Sequence, residues 1–258
     1  MFFVQDIQIN DLKNPAEIVQ TYKISQEQTE SAIFKFEDSS SAIYKHEVKK
    51  PKIITPQTTT ISPIAKSYAI KLKVGNEDEK KFIMENINSL CSQNVKESIV
   101  FSDTDISDAL FEIINEDISK LKKPSRKQLH LRKAFNEGKE LTQKQKEIAF
   151  SYSEKEKAEQ NKILAFYTLG TIQNLIYRIT TKKTGITPKL QDSPIVSKII
   201  YEAKNNKDEN MRASAIGTLH MIARPEYNKD LKPVFQSALS DKSKIVKDMA
   251  KESLQYME

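Results

Sequence analysis

The chain has 258 residues, a net charge of +6, 38% apolar residues, five Gly, no Trp and a single Cys. That length allows one or two domains. One Cys excludes an internal disulfide, and no apolar run approaches the ~18 residues of a membrane span. The first residues lack a basic stretch and meet Asp6 early, unlike a secretory leader, so a cytoplasmic, reducing setting is expected.

Residues 1–75 differ from the rest and are expected to form an N-terminal arm, either low in order or a small β element. Met1 to Gln8 suits a short strand. Asn14 and Pro15 suit a turn or a helix start. Ser31 to Glu37 and Ser41 to Glu47 repeat a β-prone pattern around Asp38, Ser39 and Ser40, which predicts a hairpin. Pro51, Pro56, Pro63 and the Thr58 to Thr60 cluster read as a linker. Ile33 to Phe36 is a candidate recognition segment that adds a strand to a partner's edge.

From Asn76 onward the pattern is helical, with a helical cap over 76–124. Asn76 and Glu79 have capping-box spacing, and Ile83, Ile87, Leu90 and Cys91 make one face. Cys91 is therefore read as a buried, inert thiol. Asp103 or Thr104 starts a second helix, with Ile106, Leu110, Ile113, Ile114, Ile118 and Leu121 as its stripe and Pro124 at its end. Ser125 caps a third helix ending near Gly138, Thr142 starts a fourth, and a long helix runs from about Glu154 to Thr180. Ile163, Phe166, Leu169, Ile172, Leu175, Ile176 and Ile179 are its apolar residues. Leu169 to Ile172 echoes Ile216 to Leu219, and Gly170 and Gly217 would let helices approach closely.

Residues 195–257 contain one helical unit written twice, 35 positions apart. Ala203 falls on Ala238, Ala215 on Ala250, Leu219 on Leu254, Ile199 on Val234, Ile200 on Phe235, Met211 on Val246 and Ile222 on Met257. The matched columns recur at three- and four-residue steps, the spacing of one helix face. Each copy is two helices around a short polar break. Such a hairpin buries its apolar face only by stacking on a neighbour.

The second copy carries Pro233 in its first helix, Asp241 in the turn, and Val246 and Lys247 in its second helix. The first copy keeps Asn206, Met211 and Arg212 and has Lys198 in place of the Pro. This pattern resembles the HEAT repeat family, although the 35-residue period is shorter than the ~40–47 usual there. The resemblance implies an all-α fold, a short α-solenoid with repeats over 125–258. It also implies a structural ladder of turn acid and basic residue between neighbouring repeats, here Asn206, Arg212, Asp241 and Lys247. That ladder pairs Asp241 with Arg212 or Lys247. Three stacked units from about residue 126 are expected.

No catalytic constellation is visible. His46, His130 and His220 stand apart, without metal-ligand spacing, and no phosphate-cradling glycine motif occurs. No cofactor, metal or small-molecule substrate is indicated. The leading expectation is a non-catalytic protein-interaction scaffold whose concave face presents Ser214, Thr218, Lys251 and Gln255 to another protein. The alternative is non-specific nucleic-acid binding. Residues 120–147 hold ten Lys or Arg against three Glu, a net +7 that exceeds the charge of the whole chain. The candidate anion patch is Lys122, Lys123, Arg126, Lys127, Arg132 and Lys133. A solvated helix face that keeps the protein soluble is the competing reading of those cations.

Overall fold

A computed structural model describes residues 63–93, 99–102 and 104–257. The expected strand at the start, the hairpin over 31–47, the Ile33 to Phe36 segment, most of the linker and His46 lie outside the described residues. Ile61–Glu258 forms one compact unit. Among its described residues there are ten α-helices and no strand. The helices are α1 (Pro63–Val74), α2 (Glu77–Gln93), α3 (Thr104–Asn115), α4 (Arg126–Asn136), α5 (Gln143–Phe150), α6 (Glu154–Thr184), α7 (Pro194–Asn205), α8 (Glu209–Ile222), α9 (Asn228–Ala238) and α10 (Lys244–Gln255).

A helix already precedes Asn76, since α1 spans Pro63–Val74. Pro63 opens α1, where its missing N–H costs nothing. Ala65, Ala69 and Leu72 then recur at helical spacing and are buried. The interleaved Lys66, Lys71 and Lys73 hide this stripe in the sequence. Helix α3 also stops earlier than its apolar pattern suggests, at Asn115. Lys162 Nζ donates to the Glu116 carbonyl at 2.6 Å and so holds the end of the helix. The Asp117 carboxylate takes the Ser119 N–H at 3.0 Å, an Asx turn that diverts Ile118 and Leu121 out of the helix.

Starts and stops elsewhere follow local chemistry. Asn76 accepts the Asp78 and Glu79 N–H groups while Glu79 accepts the Asn76 N–H, which fixes the start of α2. Ser125, Thr142 and Ser153 each make a full capping box, with Gln128, Gln145 and Glu156 as the reciprocal partners. Gly185, at φ +67°, ends α6 in the left-handed conformation.

Helix α6 is the centre of the packing. Helices α2 and α3 lie on it from one side and α8 from the other, while α1 covers α3 and α2. Helix α8 in turn touches α7 and α10, and α9 packs on α10. The core therefore runs without a break from Ala65 to Ala250. On α6, Phe166, Leu169, Ile172 and Leu175 are fully buried, each contributing roughly 1.5–3 kcal/mol. Helices α4 and α5 pack on each other, and their buried Leu131, Ala134 and Ala149 lie outside that core. The stack of three units expected from residue 126 is thus not the arrangement found. The partners of α6 among the preceding helices are α2 and α3, whereas α4 and α5, with few buried apolar residues, pack mainly on each other.

A polar seam ties the N-terminal helices to α6. Buried Lys80 donates to Glu77 and Glu116, both at 2.9 Å. Burial opposes its charge, but these two bonds outweigh that and hold the ammonium above the usual lysine range. Asn161 donates to the Glu77 carbonyl at 2.7 Å and to its carboxylate at 2.9 Å.

The two glycines of the shared motif are not equivalent. A Cβ on Gly170 would sit 2.1 Å from Met221 Cε and 3.0 Å from Thr218 Cγ2, so these two side chains of α8 pack on the bare backbone of α6. A Cβ on Gly217 would meet Met249 at 3.7 Å, an ordinary contact. Gly170→Leu is expected to lower stability by about 1–3 kcal/mol through overpacking. Gly217→Ala should raise it by up to about 1 kcal/mol through helix propensity. Thermal unfolding of the two variants checks both signs.

Candidate binding surfaces

The aligned columns of the repeat are core positions in both copies. Ile199, Ala203, Met211, Ala215, Leu219 and Ile222 are buried in α7–α8, and Val234, Phe235, Val246 and Ala250 in α9–α10. Ala238, Leu254 and Met257 pack against the same core. Between the copies stands one ion pair. Arg212 Nε and Nη2 each donate to Asp241 at 2.8 Å, and Nη1 donates to the Asn206 and Lys207 carbonyls at 2.9 and 3.3 Å. Arg212 is only 4% exposed, so its fork closes the turn of its own hairpin and grips the turn of the next. The Arg212 bond holds the Asp241 carboxyl below its ordinary value, and the Ser243 N–H adds to this. Of the four candidate ladder residues, the structure brings together Arg212, Asp241 and the Asn206 backbone. The Asn206 side chain instead donates to Glu202 at 2.7 Å. Lys247 is half-buried and makes no ion pair among the described residues.

The candidate partner surface needs one correction. Thr218 is 5% exposed and donates to the Ser214 carbonyl at 2.9 Å, with its methyl against Gly170. It belongs to the α6–α8 contact and cannot meet a partner. Ser214 is half-buried, and Lys251 and Gln255 are exposed. Gly170 lies against Thr218, and Asn174 Nδ2 reaches the Met221 carbonyl at 3.5 Å. These contacts advance together along both helices, so α6 and α8 run parallel. One turn before Gly170, Tyr167 then lies level with Ser214. Tyr167 and Ile163, one further turn back, are 51% and 47% exposed. Ile163 was expected in the apolar stripe of α6. Periodicity alone could not separate it from the core, because α6 is apolar on more than one side.

The basic segment divides into two roles. Arg132 donates to the Ala149 carbonyl at 2.6 Å, to the Ser151 carbonyl at 2.9 Å and to both carboxylate oxygens of Glu156. It clamps α4 to the end of α5 and the start of α6, and so leaves the candidate anion patch. Lys120, Lys122, Lys123, Arg126, Lys127 and Lys133 are exposed. Of these, only Lys133 comes within ion-pair distance of a carboxylate among the described residues, 3.9 Å from Glu137. Phe135 is 44% exposed and meets the Phe150 ring edge-on at 5.0 Å.

The remaining candidates are structural. Cys91 has no exposed surface, and burial pushes its thiol up to about 12. His130 is exposed, and His220 lies 4.9 Å from the Tyr256 ring. Among the described residues no three His, Cys, Asp or Glu are placed to hold a metal ion, and no helix is long and apolar enough to cross a membrane. No family model matches the chain, and no curated protein or solved structure matches it either.

The two arginine clamps make distinct predictions. Arg212→Ala should cost about 3 kcal/mol by stranding Asp241. A cycle with Asp241→Ala should return a coupling of about 1–3 kcal/mol in urea unfolding. Glu156 is held at about 2, below its ordinary 4.5, chiefly by the Arg132 bond. Its contribution is therefore present above about 4.5 and is lost as pH falls toward 2. Glu156→Gln should flatten that acid limb of a stability-versus-pH curve.

Proposed function

We propose that the protein is a non-catalytic, cytoplasmic protein-binding module, a short HEAT-like solenoid whose α6, α8 and α10 present one face to a partner. The observation that carries this reading is the pair Ile163 and Tyr167. Each leaves about half its surface in water, in the middle of a helix whose other sides are covered by α2, α3 and α8. Large apolar groups held on a rigid helix are the usual anchors of protein interfaces. Tyr167 in particular joins an apolar ring to a polar tip. Ser214, Lys251 and Gln255 continue the face as its polar rim. The Arg212–Asp241 pair supports the repeat reading, since it joins consecutive hairpins through their turns. Its role there is to hold the face rigid.

The test is affinity capture with full-length protein and an Ile163→Asp/Tyr167→Ala variant. A discrete protein should be retained at high salt and after nuclease treatment, and the variant should lose it at least tenfold with an unchanged melting curve. Equal capture by both proteins would reject this face.

A further inference from the structure

We infer that the exposed cations of 120–133 form a site for the phosphate backbone of a duplex nucleic acid, read by shape and charge and not by base sequence. The site is Lys120, Lys122, Lys123, Arg126, Lys127 and Lys133. It is independent of the α6 face.

Three observations carry this. The first is charge without compensation. No acidic residue occurs between Ile118 and Asn136. Arg132, the one cation there that is neutralised at close range, is the one used structurally. Elsewhere in the unit some exposed lysines find carboxylates, as Lys73 does with Glu112 and Lys198 with Asp108, while others, such as Lys182 and Lys251, do not. What sets the run apart is the absence of any acidic residue over that length, not the lack of ion pairs as such.

The second is a backbone held in place. The Lys122 carbonyl accepts the Lys155 N–H at 3.1 Å, and Leu121 N–H donates to Ile118 at 3.2 Å. Ser125 and Gln128 close a capping box, and the Gln128 amide donates to Ser151. The charges thus project from a fixed scaffold, which lowers the ordering cost of binding. Arg126 and Lys133 are separated by ~10 Å along α4. A duplex presents a negative charge every ~1.7 Å of its axis, so several phosphates fall within that reach.

The third is what the surface lacks. Leu129 is the only exposed large apolar residue between Lys120 and Lys133, too little for insertion into a lipid interface. Of the nearby rings, Phe135 and Phe150 meet each other edge-on, which leaves Tyr152, 56% exposed, as the single unpaired Phe or Tyr ring beside the segment. Successive bases of a single strand need a row of aromatic platforms, which one ring does not supply, and a duplex backbone needs none.

The experiment uses the full chain and labelled duplex DNA, duplex RNA and single-stranded DNA of one length, with phosphatidylserine vesicles and polyglutamate as further probes. A duplex should bind best, and whichever duplex it is identifies the source. With six contacts the affinity should fall about 10³-fold between roughly 50 and 200 mM salt. Replacing Lys122, Lys123, Arg126 and Lys127 by Gln should flatten that dependence by about one unit of slope per residue. Their replacement by Glu should abolish binding, with the melting curve and capture by the α6 face unchanged. Absence of duplex binding at low salt, affinity independent of salt, or retention by the Glu variant would overturn the inference. So would preference for the single strand, the vesicles or polyglutamate.

Discussion

The covering of α6 by α2 and α3 on one side and by α8 on the other is the constraint on which the rest of this fold depends. A side chain at position 170 would occupy the space of the Met221 methyl. With the gap closed, Thr218 is sealed, Asn174 reaches the Met221 carbonyl, and the two helices run level. The core then passes from the N-terminal helices into the repeats as one body.

Arginine performs the same task at two places. Arg212 spans two hairpins of the repeat, and Arg132 spans α4, α5 and α6. In each case a planar fork gathers backbone carbonyls from a turn and a carboxylate from the next element. This suits guanidinium, whose donors are rigidly arrayed and stay charged on partial burial. Lysines fill a different role. Lys80 and Lys162 close the polar seam, and the lysines of 120–133 stay in water. The division explains why a segment with a net charge of +7 is not a uniform patch.

Much of this fold was legible in the sequence where the determinant is local. Ser125 and Thr142 cap helices by bonds to residues three positions on, and the same spacing is visible in the letters. The buried columns of the repeat were legible too, since two aligned copies average out accidental apolar residues. Helix α1 was not, because its small buried stripe is crossed by lysines. The end of α3 was missed as well, because a lysine from α6, 46 residues away, closes it. On the candidate surfaces, the clustered cations and exposed Lys251 and Gln255 were readable, whereas Thr218, Arg132, Ile163 and Tyr167 were not.

By itself the sequence determined helical content, most helix boundaries, the doubled hairpin and the charge of the 120–147 segment, because these follow from nearest-neighbour hydrogen bonding, periodicity and composition. Only the tertiary structure decided which side of each helix meets water. It set α2 and α3 on α6 in place of α4 and α5, buried Thr218, exposed Tyr167 and withdrew Arg132 from solvent. The physical reason is that a helix fixes the angles between its side chains but not the neighbour that covers them. On a helix apolar on several sides, that choice belongs to distant residues competing for the same surface.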